Sequence, residues 1–277
     1  MSLISDAAAF VLAAITAVIG PSLGPLERRV ERSFEVRPDS AVVVAISGGS
    51  ISVATVPGRT ARLTLIQRVN ADTEAEADAE LARYDLTLEQ RGDQVVLAFR
   101  QRDRSRWRSN RGVSASAVLE VPADVRLDLD TSGGSITVRG ARERAIAADT
   151  SGGSITVDGG TGDLALDTSG GSIRVGRALG VLHADTSGGS ITVDYVGASA
   201  RDVAVNTSGG SIRVGVDRGA RLHVNASTSG GSVSATDLPL AVASSGRSKL
   251  VGTMNGGGGR LLAATSGGSV RIYASAP

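Results

Sequence analysis

Alternation of apolar and polar residues runs through the second half of the chain and predicts short β-strands. In residues 125–131 every second side chain is apolar or threonine, and after a Gly133-Gly134 pair the apolar Ile136 and Val138 alternate with polar residues. Period-two alternation is typical of a strand with one buried face. The pattern predicts two strands joined by a Gly-Gly bend. The predicted inward set is Val125, Leu127, Leu129, Thr131, Ile136 and Val138.

This unit recurs along the chain. Copies of the octapeptide Thr-Ser-Gly-Gly-Ser-Ile-(Thr/Arg)-Val and of a shorter form, Thr-Ser-Gly-Gly-Ser-Val, are spaced 19, 18, 18, 21, 21 and 37 residues apart. They begin at Thr131, Thr150, Thr168, Thr186, Thr207, Thr228 and Thr265. An echo spans residues 46–53, and residues 244–248 resemble a decayed copy inside the last gap. A fixed period of this length indicates stacked supersecondary units.

The predicted fold class is all-β: a single-stranded parallel β-helix, or β-solenoid, which we expect to wind with the right hand. The solenoid domain is predicted over 34–277, with a short helix insertion at 72–84, a basic loop at 100–112 and regular repeats over 125–275. Residues 1–33 are assigned to an N-terminal hydrophobic helix and a charged linker. The final coil, around residues 269–273, shows no obvious cap and is expected to leave an open strand edge.

Residues 7–20 are apolar apart from Thr16, which is short for a membrane span and closer in length to the core of a signal peptide. Asp6 stands where a signal peptide has a basic region, and Pro follows both Gly20 and Gly24. Three interpretations stay open: an export or anchoring segment, a helix buried against the domain or a neighbouring subunit, and an artefact. The sequence does not decide whether residues 1–24 are cleaved, inserted or buried.

Composition narrows the chemistry. Hydrophobic residues make up 41% of the chain but aromatic residues only 3%, so the core must consist of small aliphatic side chains. The absence of Cys excludes disulfides and thiolate sites, and two His limit acid–base chemistry. The net charge of +1 gives no overall attraction to nucleic acid, and no specific nucleic-acid partner and no cofactor are predicted.

The repeat resembles a bacterial family of domains of unknown function known as "putative adhesins". The resemblance rests on residues 127–136 and their copies, on the entry segment 118–123, and on the acidic helix followed by a hairpin, and it covers about residues 35–275. It implies a single-stranded β-solenoid. It implies no catalytic residues.

Two columns follow from the repeat. The residues before each threonine would form an outward row that could bind a cation, or could simply favour the corner and bond to the backbone. These are Asp130, Asp149, Asp167, Asp185 and Asn206. The seven repeat threonines are predicted to form an inward structural column of hydroxyls joining coil to coil. His183 and His223 are predicted to point outward on different coils.

A basic segment offers a candidate polyanion patch. Alternate positions carry arginine, so an extended chain would place them on one face, with a tryptophan between them. They are Arg100, Arg102, Arg104, Arg106, Arg108 and Trp107. The alternative is a solvated hairpin tip. The Arg91-Gly92-Asp93 tripeptide is interpreted as a turn, and the glycine run 256–259 as a flexible corner.

The predicted function is a non-enzymatic, adhesin-like structural module of the bacterial cell envelope or exterior. It would present repetitive surfaces for binding or for self-assembly through the solenoid ends or the apolar N-terminus. Acidic glycans and membrane surfaces are the other expected partners. A polysaccharide-acting β-helix enzyme is an unfavoured alternative, because such sites need clustered carboxylates in a groove. A regulatory partner in envelope stress is neither supported nor excluded.

Overall fold

The chain forms two large β-sheets in a computed structural model, which describes residues 14–17, 25–102, 112–140 and 143–275. Before the regular repeats, the elements are β1 (Ala14–Ala17), β2 (Leu26–Glu35), β3 (Ala41–Ile46), β4 (Ile51–Thr55), β5 (Thr60–Val69), α1 (Glu74–Leu81), β6 (Tyr84–Arg91), β7 (Gln94–Gln101) and β8 (Val113–Val121). The repeats contribute β9 (Arg126–Thr131), β10 (Ile136–Arg139), β11 (Ile146–Thr150), β12 (Ile155–Val157), β13 (Leu164–Thr168), β14 (Ile173–Ala178), β15 (Leu182–Thr186), β16 (Ile191–Val196), β17 (Asp202–Thr207) and β18 (Ile212–Val216). The last elements are β19 (Leu222–Thr228), β20 (Val233–Thr236), β21 (Leu240–Ser245), β22 (Lys249–Met254), β23 (Gly259–Thr265) and β24 (Val270–Ala274).

From β9 to β18, successive strands alternate between the two sheets. We call the sheet that contains β10 sheet A and the sheet that contains β9 sheet B. Each strand pairs in parallel with the equivalent strand of the next coil, so Ile136 lies beside Ile155 and Leu127 beside Ile146. The aliphatic and threonine side chains of the predicted inward set are buried between the sheets. The period-two pattern therefore identified the core correctly.

The first and last coils are inserted into the stack, not placed at its ends. The coil β23–β24 lies between β17–β18 and β19–β20, with hydrogen-bonded strands on both sides in both sheets. The coil β3–β4 lies in the same way between β7–β8 and β9–β10. The expectation that residues 269–273 form an open edge is therefore wrong, because β24 is paired on both edges. The edges at this end are β20 in sheet A and β21 in sheet B.

The segment expected to be a decayed repeat is a hairpin. Strands β21 and β22 pair antiparallel, and the Gly246 N–H donates to the Lys249 carbonyl oxygen at 2.9 Å in the turn between them. The hairpin extends sheet B, because β22 pairs antiparallel with β19. Met254 and Leu250 of β22 are buried beside the coil β19–β20. The segment therefore covers the core at this end.

The other end is built from long antiparallel strands and the helix. Leu26–Glu35, assigned above to a charged linker, forms β2 and pairs along its length with β5. The helix α1 spans Glu74–Leu81, within the predicted 72–84, and Thr73 caps it by accepting the Glu76 N–H. Arg28 of β2 forms ion pairs with two acidic residues of α1, so the helix covers this part of sheet A.

The N-terminal prediction is corrected in one part. Ala14–Ala17 form a strand that pairs antiparallel with β2, where a helix was expected. The remainder of the predicted hydrophobic helix lies outside the described residues. In the described part of the chain, nothing helical has the length and apolar character of a membrane span.

Candidate binding surfaces of the repeat stack

The threonine column joins neighbouring coils at the bend between sheets. Each hydroxyl donates to the carbonyl oxygen of the second glycine in the adjacent coil, as from Thr168 to Gly153 at 2.8 Å and from Thr186 to Gly171 at 2.8 Å. In most coils it also accepts the N–H of its own second glycine, at 3.3 Å for Gly189. The seven members are buried: Thr131, Thr150, Thr168, Thr186, Thr207, Thr228 and Thr265. Their hydroxyls are thus used within the stack and unavailable to a ligand.

A second hydroxyl column was not predicted. The serine after each glycine pair accepts a hydrogen bond from the backbone N–H of the equivalent serine one coil away, at 3.1 Å between Ser172 and Ser154 and at 3.1 Å between Ser190 and Ser172. The strict recurrence of Ser at this position in every copy was the available signal. These side chains also stabilise the bend, so binding chemistry must come from residues outside it.

The bend leaves no room for a side chain at the second glycine. A Cβ on Gly171 would lie 1.9 Å from the Gly153 carbonyl oxygen, whereas a Cβ on Gly170 would meet nothing closer than 3.5 Å. Close approach of stacked backbones therefore explains why the second position is glycine in all seven copies. Gly170, the first glycine of this copy, has space around it.

The acidic row forms as predicted, with cross-strand pairing of Asp130, Asp149, Asp167, Asp185 and Asn206 in consecutive coils. Most of the row lines an elongated groove of about 640 Å³ together with serine hydroxyls of the bend. Partial burial, followed by the neighbouring carboxylates, raises the pKa of Asp149 and of Asp167 above the ordinary value. Across the described residues, no group of three or more Asp, Glu or His side chains is placed to hold a metal ion. The row stacks in the predicted register, and cation binding by it stays a prediction.

Both histidines lie on the outer face of sheet B. His183 is exposed and places Nε2 2.7 Å from the Asp185 carboxylate on the same strand. His223, three strands away, places Nδ1 3.3 Å from the Thr253 hydroxyl. They do not meet, so the structure does not bring them into one acid–base site.

The outer face of sheet A carries an arginine row that the sequence reasoning missed. Arg213 and Arg271 are directly opposite each other on β18 and β24, and both are exposed. Among the described residues neither makes an ion pair, whereas Arg174 in the same row bonds to Asp194 at 2.6 Å. The two arginines come from repeats 58 residues apart in sequence, and only the insertion of the last coil makes them neighbours. Spacing along the chain gave no signal for this pair.

Only the beginning of the predicted basic patch is described. Arg100 lies 3.9 Å from Asp130, and Arg102 bonds to Asp85 at 2.6 Å. The remaining members, Arg104, Arg106, Trp107 and Arg108, lie outside the described residues. The two described arginines are thus partly neutralised by carboxylates.

The other two motifs occupy turns. Arg91-Gly92-Asp93 lies at the turn of the β6–β7 hairpin, where Asp93 pairs with Arg37 at 3.4 Å. The glycine run 256–259 connects β22 to β23, and Gly256 and Gly257 have φ values of 79° and 77°. Both motifs are explained by backbone geometry.

Comparison with known proteins gives a family and a set of distant structures. The model of one protein family, described as Toastrack DUF4097, matches residues 119–273. No curated protein matches the chain in sequence. A solved structure named "putative adhesin", from Bacteroides fragilis, is 14% identical, with a TM-score of 0.46 and coverage of 92% of this chain and 100% of that one.

Two further solved structures are similar. A "putative adhesin" from Parabacteroides merdae is 9% identical, with a TM-score of 0.40 and coverage of 88% and 95% of the two chains. A "putative lipid binding protein" from Parabacteroides distasonis is 12% identical, with a TM-score of 0.37 and coverage of 88% and 96%.

Proposed function

Because the chain belongs to the Toastrack DUF4097 family, we propose that it is a non-enzymatic, adhesin-like β-solenoid of the bacterial cell envelope or exterior. The alternation of strands between two sheets supports the solenoid, and its right-handed winding stays a prediction. The proposed role is to hold a flat face toward an acidic ligand. Acidic glycans are the ligand class that we propose.

The observation that carries this proposal is the adjacency of Arg213 and Arg271, neither of which has an ion-pair partner in the part of the chain that the structure describes. Neighbouring strands are about 4.8 Å apart, so the two guanidinium groups repel each other by about 1 kcal/mol in water. Like charges directly opposite on adjacent strands are destabilising, and a bound anion would relieve the repulsion. Guanidinium groups bind planar carboxylates and sulfates through paired hydrogen bonds, which suits an acidic sugar.

The surroundings of the pair suit an extended ligand. The same row of sheet A places Thr192 beside Arg213 and Ser234 beside Arg271, so hydroxyls flank the charges on both sides. Arg174 continues the row beyond Thr192. A chain of anionic sugars lying across the strands could contact several of these groups in succession. The predicted patch of Arg100 to Arg108 stays a second basic surface of the same proposal.

Retention on heparin tests this proposal, with heparin as a generic acidic glycan. The double variant Arg213→Ser/Arg271→Ser should elute at clearly lower salt than the unaltered chain, because counterion release falls with each lost contact. The matched control is Arg59→Ser/Arg218→Ser, which removes the same charge from exposed positions elsewhere. Equal elution of the two double variants would show that only net charge matters and would overturn the assignment to sheet A.

A further inference from the structure

The two sheets end at different levels on the side of the stack that carries β20. The coil β19–β20 is the last one with a strand in each sheet. Beyond it sheet B continues for two more strands, β22 and then β21, while sheet A stops at β20. We call the surface formed by β20 (Val233–Thr236) and β21 (Leu240–Ser245) the open end. Sheet B therefore overhangs sheet A at the open end.

Core-facing positions at the open end are exposed. Ala235 is paired with the fully buried Ile272, and so belongs to an inward row, yet it is exposed. Val242 lies opposite the buried Gly252, and it is 54% exposed. Val233 and Leu240 are only partly buried. Core-facing residues of β20 and β21 thus remain exposed, although β22 covers the core beside them.

The strands of the open end also lack the charges that normally protect a sheet edge. Among the described residues, each pairs with a strand on one side only, β20 with β24 and β21 with β22, and neither contains a charged residue. The first residue of β20 is also bonded to the hairpin turn, where the Val233 N–H donates to the Arg247 carbonyl oxygen at 2.8 Å. Exposed edges without charge are templates for another strand. The bulge in β21 after Val242 limits its regular part to about the length of β20.

The opposite end of the stack differs in its sheet B edge. That edge is β6, which carries Asp85, Glu89 and Arg91. In sheet A the outermost described strand at this end is β1, paired with β2, and α1 covers β2 through ion pairs of Arg28. A head-to-tail filament is unfavourable, because the charged β6 would have to pair with the uncharged β21.

We propose that two copies of the chain associate head-to-head through their open ends, as a closed dimer. In this dimer a twofold axis runs parallel to the strands and midway between the planes of the two sheets. It places sheet B of one copy in the plane of sheet A of the other. The overhanging sheet B of one copy then continues the shorter sheet A of the other, and β21 adds beside residues 234–236 of β20 in the second copy, at two equivalent places. The open end is complementary to itself, so the association closes at two copies. The exposed Val242 side chains face each other between the sheets.

Charged variants of the edge test the dimer. Val242→Lys should convert a dimer into a monomer in sedimentation equilibrium, because the lysine would be buried between two uncharged faces. The matched control is Leu262→Lys, which places the same charge on a side chain that is 38% exposed in the middle of sheet B. The control should stay dimeric. A monomeric unaltered chain, growth beyond the dimer with concentration, or a dimeric Val242→Lys variant would each overturn the proposal.

A second measurement does not depend on the lysine variant being folded. The sequence has no cysteine, so Val242→Cys introduces a single thiol. Oxidation should give a covalent dimer, and small-angle scattering should show a maximum dimension close to twice that of the monomer. Leu262→Cys should give little cross-linking. Efficient cross-linking of Leu262→Cys, or a compact side-by-side dimer in scattering, would contradict the head-to-head arrangement. Heparin retention is a separate readout, so failure of the dimer leaves the proposed function intact.

Discussion

The threonine hydroxyls should contribute measurably to stability, and Thr186 is the position to test. It is 6% exposed, donates to the Gly171 carbonyl oxygen at 2.8 Å and accepts the Gly189 N–H at 3.3 Å. Thr186→Val keeps the shape of the side chain and removes both hydrogen bonds. Thr186→Ser keeps the hydroxyl and removes one methyl group. The two variants therefore separate hydrogen bonding from packing.

The magnitudes favour a larger effect for valine. A buried group left without its partner costs about 1–3 kcal/mol, and the shorter bond to the Gly171 carbonyl dominates. We expect Thr186→Val to lower the free energy of unfolding by about 2 kcal/mol. Losing one methyl group in Thr186→Ser should cost about 0.8 kcal/mol. Valine itself fits the column, since Ile46 and Phe99 occupy the equivalent positions in the two coils before the repeats.

Equilibrium unfolding in urea, followed by circular dichroism, measures both changes. Ser187→Ala is the control, because this exposed neighbour should change stability by less than about 0.5 kcal/mol. If valine were tolerated as well as serine, the hydroxyl column would be a consequence of the fold and not a source of its stability.

Three further changes should have separable effects. Gly171→Ala should strongly impair folding, while Gly170→Ala should be tolerated, as soluble yield and melting temperature would show; equal effects would refute the close-approach argument. Burial and neighbouring carboxylates raise the pKa of Asp167, so its ionised form costs stability as pH rises through that pKa. Asp167→Asn should therefore raise the urea midpoint at neutral pH but not below the ordinary pKa of 3.8, and an equal gain at both would contradict it. Tyr195 donates to Asp217 at 2.6 Å and lowers the pKa of that carboxyl, so Tyr195→Phe should cost about 1–2 kcal/mol near neutral pH and less in acid; a pH-independent loss in urea titrations would argue against this bond.

Local pattern was sufficient for the repeats because each coil determines its own strands. The inward rows, the bends and the stacking of Asp130 to Asn206 follow from period-two alternation and a constant spacing. The hairpin β21–β22 was missed because residues 244–248 carry the small polar residues of a bend, and composition alone does not distinguish a tight antiparallel turn from a corner between sheets. The charged strand β2 was missed because its partners are distant in sequence.

The order of the coils could not be read from the sequence. The copies at Thr228 and Thr265 share the same six residues, Thr-Ser-Gly-Gly-Ser-Val, so either fits beside Thr207 equally well by pattern. The structure pairs Thr207 with Thr265, and Thr265 in turn with Thr228. The Arg213–Arg271 pair and the open end both result from this choice. The candidate surfaces therefore depend on contacts between segments far apart in the chain, which local periodicity does not report.

The insertion of coils β3–β4 and β23–β24 changes how such a rod could unravel. A linear array normally frays by peeling its terminal repeats one after another. Here either inserted coil can be released only by separating it from two neighbours at once, so these two coils cannot peel away first. At the end that carries β20, the coil β19–β20 cannot complete its pairing until β23–β24, which follows it in sequence, has entered the stack. Duplicating a coil in the middle of the stack would lengthen such a rod without disturbing either inserted coil.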